Sequence, residues 1–155
     1  MRALFFLFVF FVSFFSFNQK KYNKIFKNID DKKELYSSIA QDIWSFAEMG
    51  YQEKKSSDLL KKILSEEDFN IESGVANIPT AFIASYGNGL PIIAILGEYD
   101  ALPGLSQQRV PYKISAGGKA GHACGHHLFG TASAAAAIEI KNYLKENRKS
   151  GTIRF

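Results

Sequence analysis

Pro91 opens an uninterrupted apolar run, Ile92-Ile93-Ala94-Ile95-Leu96, and Gly97 closes it. The run is too short for a helix of its own, and its β-branched residues between Pro and Gly suit a strand. It does not alternate, so the sequence predicts a strand covered on both faces. Such a strand needs a layer on either side, and this directs the chain to an α/β sheet.

The flanking sequence supplies those layers. From about Asp31, the apolar residues Leu35, Ile39, Ile43, Phe46 and Ala47 recur at steps of three and four, predicting a helix punctuated by Gly50. Ser56-Ser57-Asp58 leads into Leu59, Leu60, Ile63 and Leu64, a second amphipathic helix. Asn70 to Val75 is short and fits more than one state. Thr80 to Tyr86 alternates, between Pro79 and the turn Gly87-Asn88-Gly89, and reads as a strand. Residues 101–121 carry Pro103, Gly104, Pro111, Gly117, Gly118 and Gly121 without an apolar period, predicting a long irregular loop. The alanine-rich stretch from Thr131 to about Asn147 predicts a helix, and Thr152 to Phe155 a further strand. The fold class expected is α/β, a mixed sheet flanked by helices, over residues 31–155.

Before this domain lie two other segments. Met1-Arg2 and the apolar stretch through Phe17 have the charge and length of a signal peptide. The stretch is short for a span of about 20 residues, and no small-x-small cleavage triplet precedes Asn18. Residues 1–17 are therefore expected to act as a cleaved signal or an uncleaved anchor, giving a secreted or membrane-tethered protein. Residues 18–30 form a polar, lysine-rich lead-in, expected to be loosely ordered. The net charge of +4 is spread through mixed-sign segments, which argues against nucleic-acid binding.

The single cysteine rules out a disulfide framework within the chain and a two-pair zinc finger. A haem-attachment motif needs a second cysteine, and the glycine-rich stretches lack the Gly-Lys-Ser/Thr ending of a phosphate loop. All three histidines and that cysteine fall within Gly121-His122-Ala123-Cys124-Gly125-His126-His127. Thiolate and imidazole are preferred donors to Zn²⁺, so this concentration points to a metal site. Cys124 and His126 share a face in extended or loop backbone, which Gly121 and Gly125 favour. His122 and His126 would share one only in a helix that began early. His127 reads equally as a polar residue near a helix N-terminus.

Glu98 and Asp100 follow the apolar strand, where open α/β sheets hold their ligands. They are candidates either to bind a metal directly or to orient an imidazole through its second nitrogen. The plainer alternative for both is turn chemistry after a strand. A cysteine nucleophile with His126 as base is a rival chemistry, weakened because a working base normally comes from elsewhere in the fold.

Gly97-Glu98-Tyr99-Asp100-Ala101-Leu102-Pro103-Gly104-Leu105-Ser106 and Gly121-His122-Ala123-Cys124-Gly125-His126 together resemble the dinuclear-metal amidohydrolases of the aminoacylase/carboxypeptidase-like metallopeptidase family, in the aminobenzoyl-glutamate hydrolase branch. Phe46 to Glu53, Pro79 to Phe82 and Gly151 to Phe155 are similar to that family in the same order. The resemblance implies two divalent metal ions, Zn²⁺ or Mn²⁺, with Cys124 and His126 as ligands. It implies that Asp100 supports a metal ligand. Glu98 stands where some branches have a metal-binding histidine and is a further candidate ligand, and His127 departs from the Asn or Asp usual there.

The substrates implied are small N-acyl or N-aroyl amino acids or dipeptides, hydrolysed at the amide bond by a full-length homodimer. The resemblance also places the family's general-base glutamate, further ligands and lid domain after the strand at Phe155. The expectation is thus an N-terminal portion of the catalytic domain, without the lid and inactive by itself. The rival expectation is a non-catalytic, truncated or merely metal-binding product.

Overall fold

The computed structural model describes residues 23–155, so the leader at 1–17 and the start of the lead-in lie outside the described residues. Contacts divide the chain between Lys33 and Glu34 into two units. In the first, residues 23–31 are helical. This corrects the loosely ordered lead-in expected there. Lys27 and Asp31, one turn apart, pair at 2.6 Å, the spacing at which opposite charges support a helix. Among the described residues, no helix is long and apolar enough to cross a membrane.

The second unit carries the fold. Helix α1 (Lys33–Phe46) buries Ile39 and Ile43 from the predicted apolar stripe, with Ala40 beside them, while Leu35 from the same stripe stays half exposed. It stops where Ala47 turns to φ 45°, three residues before the expected Gly50. Helix α2 (Lys54–Glu66) buries Leu60 and Leu64, with Ser56 and Ser57 in its first turns. Those serines lie inside the helix rather than at its start. The carboxylate of Glu48 closes the open N-terminus, accepting from the Lys55 and Ser56 backbone N–H groups and the Ser56 hydroxyl, each at 2.9 Å.

Strands β1 (Asn70–Ser73), β2 (Phe82–Asn88), β3 (Ile92–Ala94) and β6 (Gly151–Arg154) form one sheet in the order β1-β2-β6-β3. β1 and β6 each run antiparallel to β2, while β3 runs parallel to β6. The sheet is mixed, as expected. Helix α3 (His126–Glu146) connects the site loop to β6. Ile39, Ile43, Leu60, Leu64, Ala137 and Ile138 from the helices meet Ala84, Ile153 and Phe155 from the sheet in one core.

Two expectations need correction. The apolar run is a strand only from Ile92 to Ala94, and it is not covered on both faces: Ile92 and Ile93 are 50% and 53% exposed. β3 stands last in the sheet order, paired only with β6, so the described residues leave it with an open edge and too few neighbours. The alanine-rich helix begins at His126, five residues ahead of Thr131. Between these elements residues 101–121 are largely irregular, as predicted. They are closed at the base by β4 (Leu102–Pro103) pairing with β5 (Ala120–Gly121).

Candidate metal centre

Just beyond Ala94 the Ile95 N–H still donates to the Arg154 carbonyl at 2.8 Å. Glu98 and Asp100 both reach the His126 ring, while the Tyr99 hydroxyl between them reaches the Thr80 carbonyl. The N-terminal turn of α3 then approaches unusually closely. A Cβ on Gly130 would stand 2.6 Å from the Glu98 carbonyl oxygen, and one on Gly97 would stand 2.6 Å from the Phe155 ring. Only glycine permits this contact, and it brings His126 against both acids.

The imidazole of His126 lies between two carboxylates. Its Nδ1 is 2.7 Å from Asp100 Oδ1 and its Nε2 is 2.8 Å from Glu98 Oε2. A neutral imidazole has one N–H, so it can satisfy only one of these oxygens. The remaining nitrogen–carboxylate pair, Nε2 and Glu98, is where a cation would take the place of the missing hydrogen bond. The donor chemistry fits a divalent ion: one ligand atom from each of Glu98, Asp100 and His126 lies within 4.8 Å of the others. With Nδ1–H donating to Asp100, Nε2 is left free to bind, the usual carboxylate–histidine–metal relation.

The structure places the other predicted residues differently. Cys124 is exposed and does not join this three-residue cluster. It sits in the turn before α3, followed by Gly125 at φ 82°. His122 is buried and donates from Nε2 to the Ile43 carbonyl at 3.0 Å, pinning the site loop to α1. His127, in the first turn of α3, packs against it with ring centroids 4.9 Å apart. Nδ1 of each is buried without a hydrogen-bond partner among the described residues. Burial lowers the pKa of His122. Burial, and then the neighbouring His122, lower that of His127 to about 4. Both therefore act as neutral packing groups.

A cleft of about 520 Å³ opens beside the cluster, lined by Tyr51, Glu53, Thr80, Glu98, Asp100 and His126 among others. Glu53 and Thr80 do not stand out in the sequence as functional residues, and nor does Tyr99. Glu53 is only 8% exposed, and its carboxylate accepts from the Thr80 hydroxyl at 2.6 Å. The Tyr99 hydroxyl donates to the Thr80 carbonyl at 2.5 Å, while its ring stacks on Phe82. Burial, then the charge of Glu53, push the Tyr99 pKa up, so the phenol stays a donor. The available signal was the Glu-Tyr-Asp order itself, an aromatic residue between two acids.

No protein-family profile matches the chain. Over 139 residues it is 45% identical to one subunit of the p-aminobenzoyl-glutamate hydrolase of Escherichia coli, covering 85% of this chain and 29% of that protein. It is 29% identical over 130 residues to the human Xaa-Arg dipeptidase, covering 76% of this chain and 26% of that enzyme. Among solved structures it matches a dinuclear metal binding peptidase of the M20 family from Bacillus subtilis, with a TM-score of 0.63 and 30% identity. That match covers 79% of this chain and 33% of the other. The chain thus spans under a third of the length of the curated relatives it matches. The order of its motifs, the sheet and helices that carry them, and these similarities together show that the chain belongs to the dinuclear-metal amidohydrolase and peptidase family, on the p-aminobenzoyl-glutamate hydrolase branch.

Proposed function

We propose that this chain contributes to the divalent-metal site of a hydrolase that cleaves the amide bond of small N-acyl or N-aroyl amino acids or dipeptides. The observation that carries the reading is the His126 imidazole held between the carboxylates of Glu98 and Asp100. The relatives support the substrate class, since one is named for p-aminobenzoyl-glutamate and another for dipeptides. The metal reading is supported by the solved relative described as binding two metals.

In this reading His126 binds through Nε2, Asp100 orients the ring through Nδ1, and Glu98 is a further ligand. Cys124 is proposed as a second protein ligand, two residues before His126 on a turn that Gly125 keeps adaptable. Two bound divalent ions, for which we propose Zn²⁺ or Mn²⁺, would activate water at neutral pH and polarise the scissile carbonyl. The cleft beside Glu98 and Asp100 would hold the amide, with Glu53 and Thr80 in its wall. From the apolar leader we further propose export or membrane tethering, which N-terminal sequencing of the processed protein checks.

Calorimetric titration of the metal-stripped chain with Zn²⁺ and with Mn²⁺ tests the site. Saturable binding is expected, lost in His126→Ala and weakened in Cys124→Ser. Hydrolysis of N-aroyl amino acids by a full-length form should disappear with chelator. Failure to bind either ion, or hydrolysis indifferent to chelator, overturns the reading.

A further inference from the structure

The two acids beside His126 lie beyond the hydrogen-bonded ladder of the sheet, since β3 and its pairing with β6 end at Ala94. Their position is fixed from the opposite side, by the segment that enters α2. The Ala101 N–H donates to the Glu48 carbonyl at 2.7 Å, and Met49 and Ala101 form a parallel bridge. Between the acids, Tyr99 turns inward, stacks on Phe82 and donates to the carbonyl of Thr80. The hydroxyl of the same Thr80 donates to Glu53. Glu53 is a buried carboxylate, 27 residues distant in sequence, that lies in the cleft wall without touching His126's cluster.

We infer that Glu53, Thr80 and Tyr99 are positioning residues, a hydrogen-bonded brace that sets where Glu98 and Asp100 stand about His126 and thereby the affinity and geometry of the divalent-ion site. This rests on the metal reading proposed above. The physical reason is that Glu98 and Asp100 both reach His126 while Tyr99 between them reaches the Thr80 carbonyl, so anchoring the middle residue restrains the backbone that carries both acids. Thr80 connects the brace because it works at two atoms at once, its carbonyl on Tyr99 and its hydroxyl on Glu53. Losing the hydroxyl releases the Thr80 segment from Glu53, and losing the phenol releases Tyr99 from Thr80. Either change lets the acids drift by the fraction of an ångström to which a metal site responds. Groups that orient ligands in this way typically change metal affinity by about 10–100-fold.

The test uses the full chain, stripped of metal and titrated with Zn²⁺. A parallel Co²⁺ titration follows the visible absorption, whose intensity and shape report coordination geometry. Tyr99→Phe keeps the ring stack and removes the donor; Thr80→Val keeps the shape and removes the hydroxyl; Thr80→Ser keeps the hydroxyl. Expected is Zn²⁺ affinity roughly 10-fold or more weaker in Tyr99→Phe and Thr80→Val, with an altered Co²⁺ spectrum, and near-normal values in Thr80→Ser. Thermal unfolding of the metal-free forms separates a positioning role from a structural one. If Tyr99→Phe and Thr80→Val melt earlier yet bind Zn²⁺ as the parent does, with an unchanged Co²⁺ spectrum, the brace is only structural and the inference is wrong. If the parent chain binds neither ion, the metal reading itself has failed. Binding by the parent that His126→Ala abolishes shows that reading to stand, whatever the brace variants do.

Discussion

The histidines of the site loop show how burial sorts one residue type into two jobs. His126 keeps both ring nitrogens on acids, while His122 and His127 pack against each other as tilted neutral rings with buried Nδ1 atoms. For His127 the folded pKa lies near 4, below the ordinary 6.5 that the unfolded chain recovers. As pH falls the unfolded chain takes up the proton first. The stability this histidine contributes is therefore full above about pH 6.5 and is lost as pH falls through about 4. Melting temperatures measured with chelator across that range should fall, and His127→Gln should flatten the fall; parallel profiles would refute this account. The sequence showed that chemistry concentrates in Gly121–His127, because scarce residue types crowd there. It did not show which ring packs and which meets the two acids, since that depends on what each ring faces across the fold. Glu53 was harder still, because its partner Thr80 lies 27 residues away.

At the level of elements, α3 is the instructive case. Its alanine run begins at Thr131 and Gly125 favours irregular backbone before it, so its start was expected at Thr131. In the structure Gly130 sits inside the helix because the Glu98 carbonyl occupies the space a side chain would need. A tertiary contact overrides local propensity here, and the same contact brings His126 to its acids. Gly130→Ala should separate α3 from the strand-end turn. Urea unfolding should show a loss of about 1–3 kcal/mol, and Zn²⁺ binding should weaken with it. A variant with unchanged affinity would show that the close approach serves packing alone. The helices α1 and α2 were legible because their apolar period survives directly as the buried stripe. Their ends were not, since Ala47 at φ 45° and the Glu48 cap carry no strong local signal.

For the whole molecule, the mixed α/β class followed from strands and helices in the right order, but the burial of its most apolar strand did not. Composition reports that Ile92 to Leu96 wants cover, not where the cover comes from. Leu90, Ile92, Ile93 and Leu96 stand exposed along one margin of the sheet, and an open apolar edge invites pairing with another chain. The chain as given should self-associate with rising concentration in size-exclusion chromatography with light scattering. Ile93→Lys should shift it toward monomer, and concentration-independent mass in the parent would count against this view. The short β4–β5 pairing has a different consequence. It draws the acids at 98–100 and the imidazole at 126 together at a neck, so the excursion between Gly104 and Lys119 lies outside that cluster. Evolution or an engineer could lengthen, shorten or rewrite that excursion while the two acids and the imidazole keep their distances.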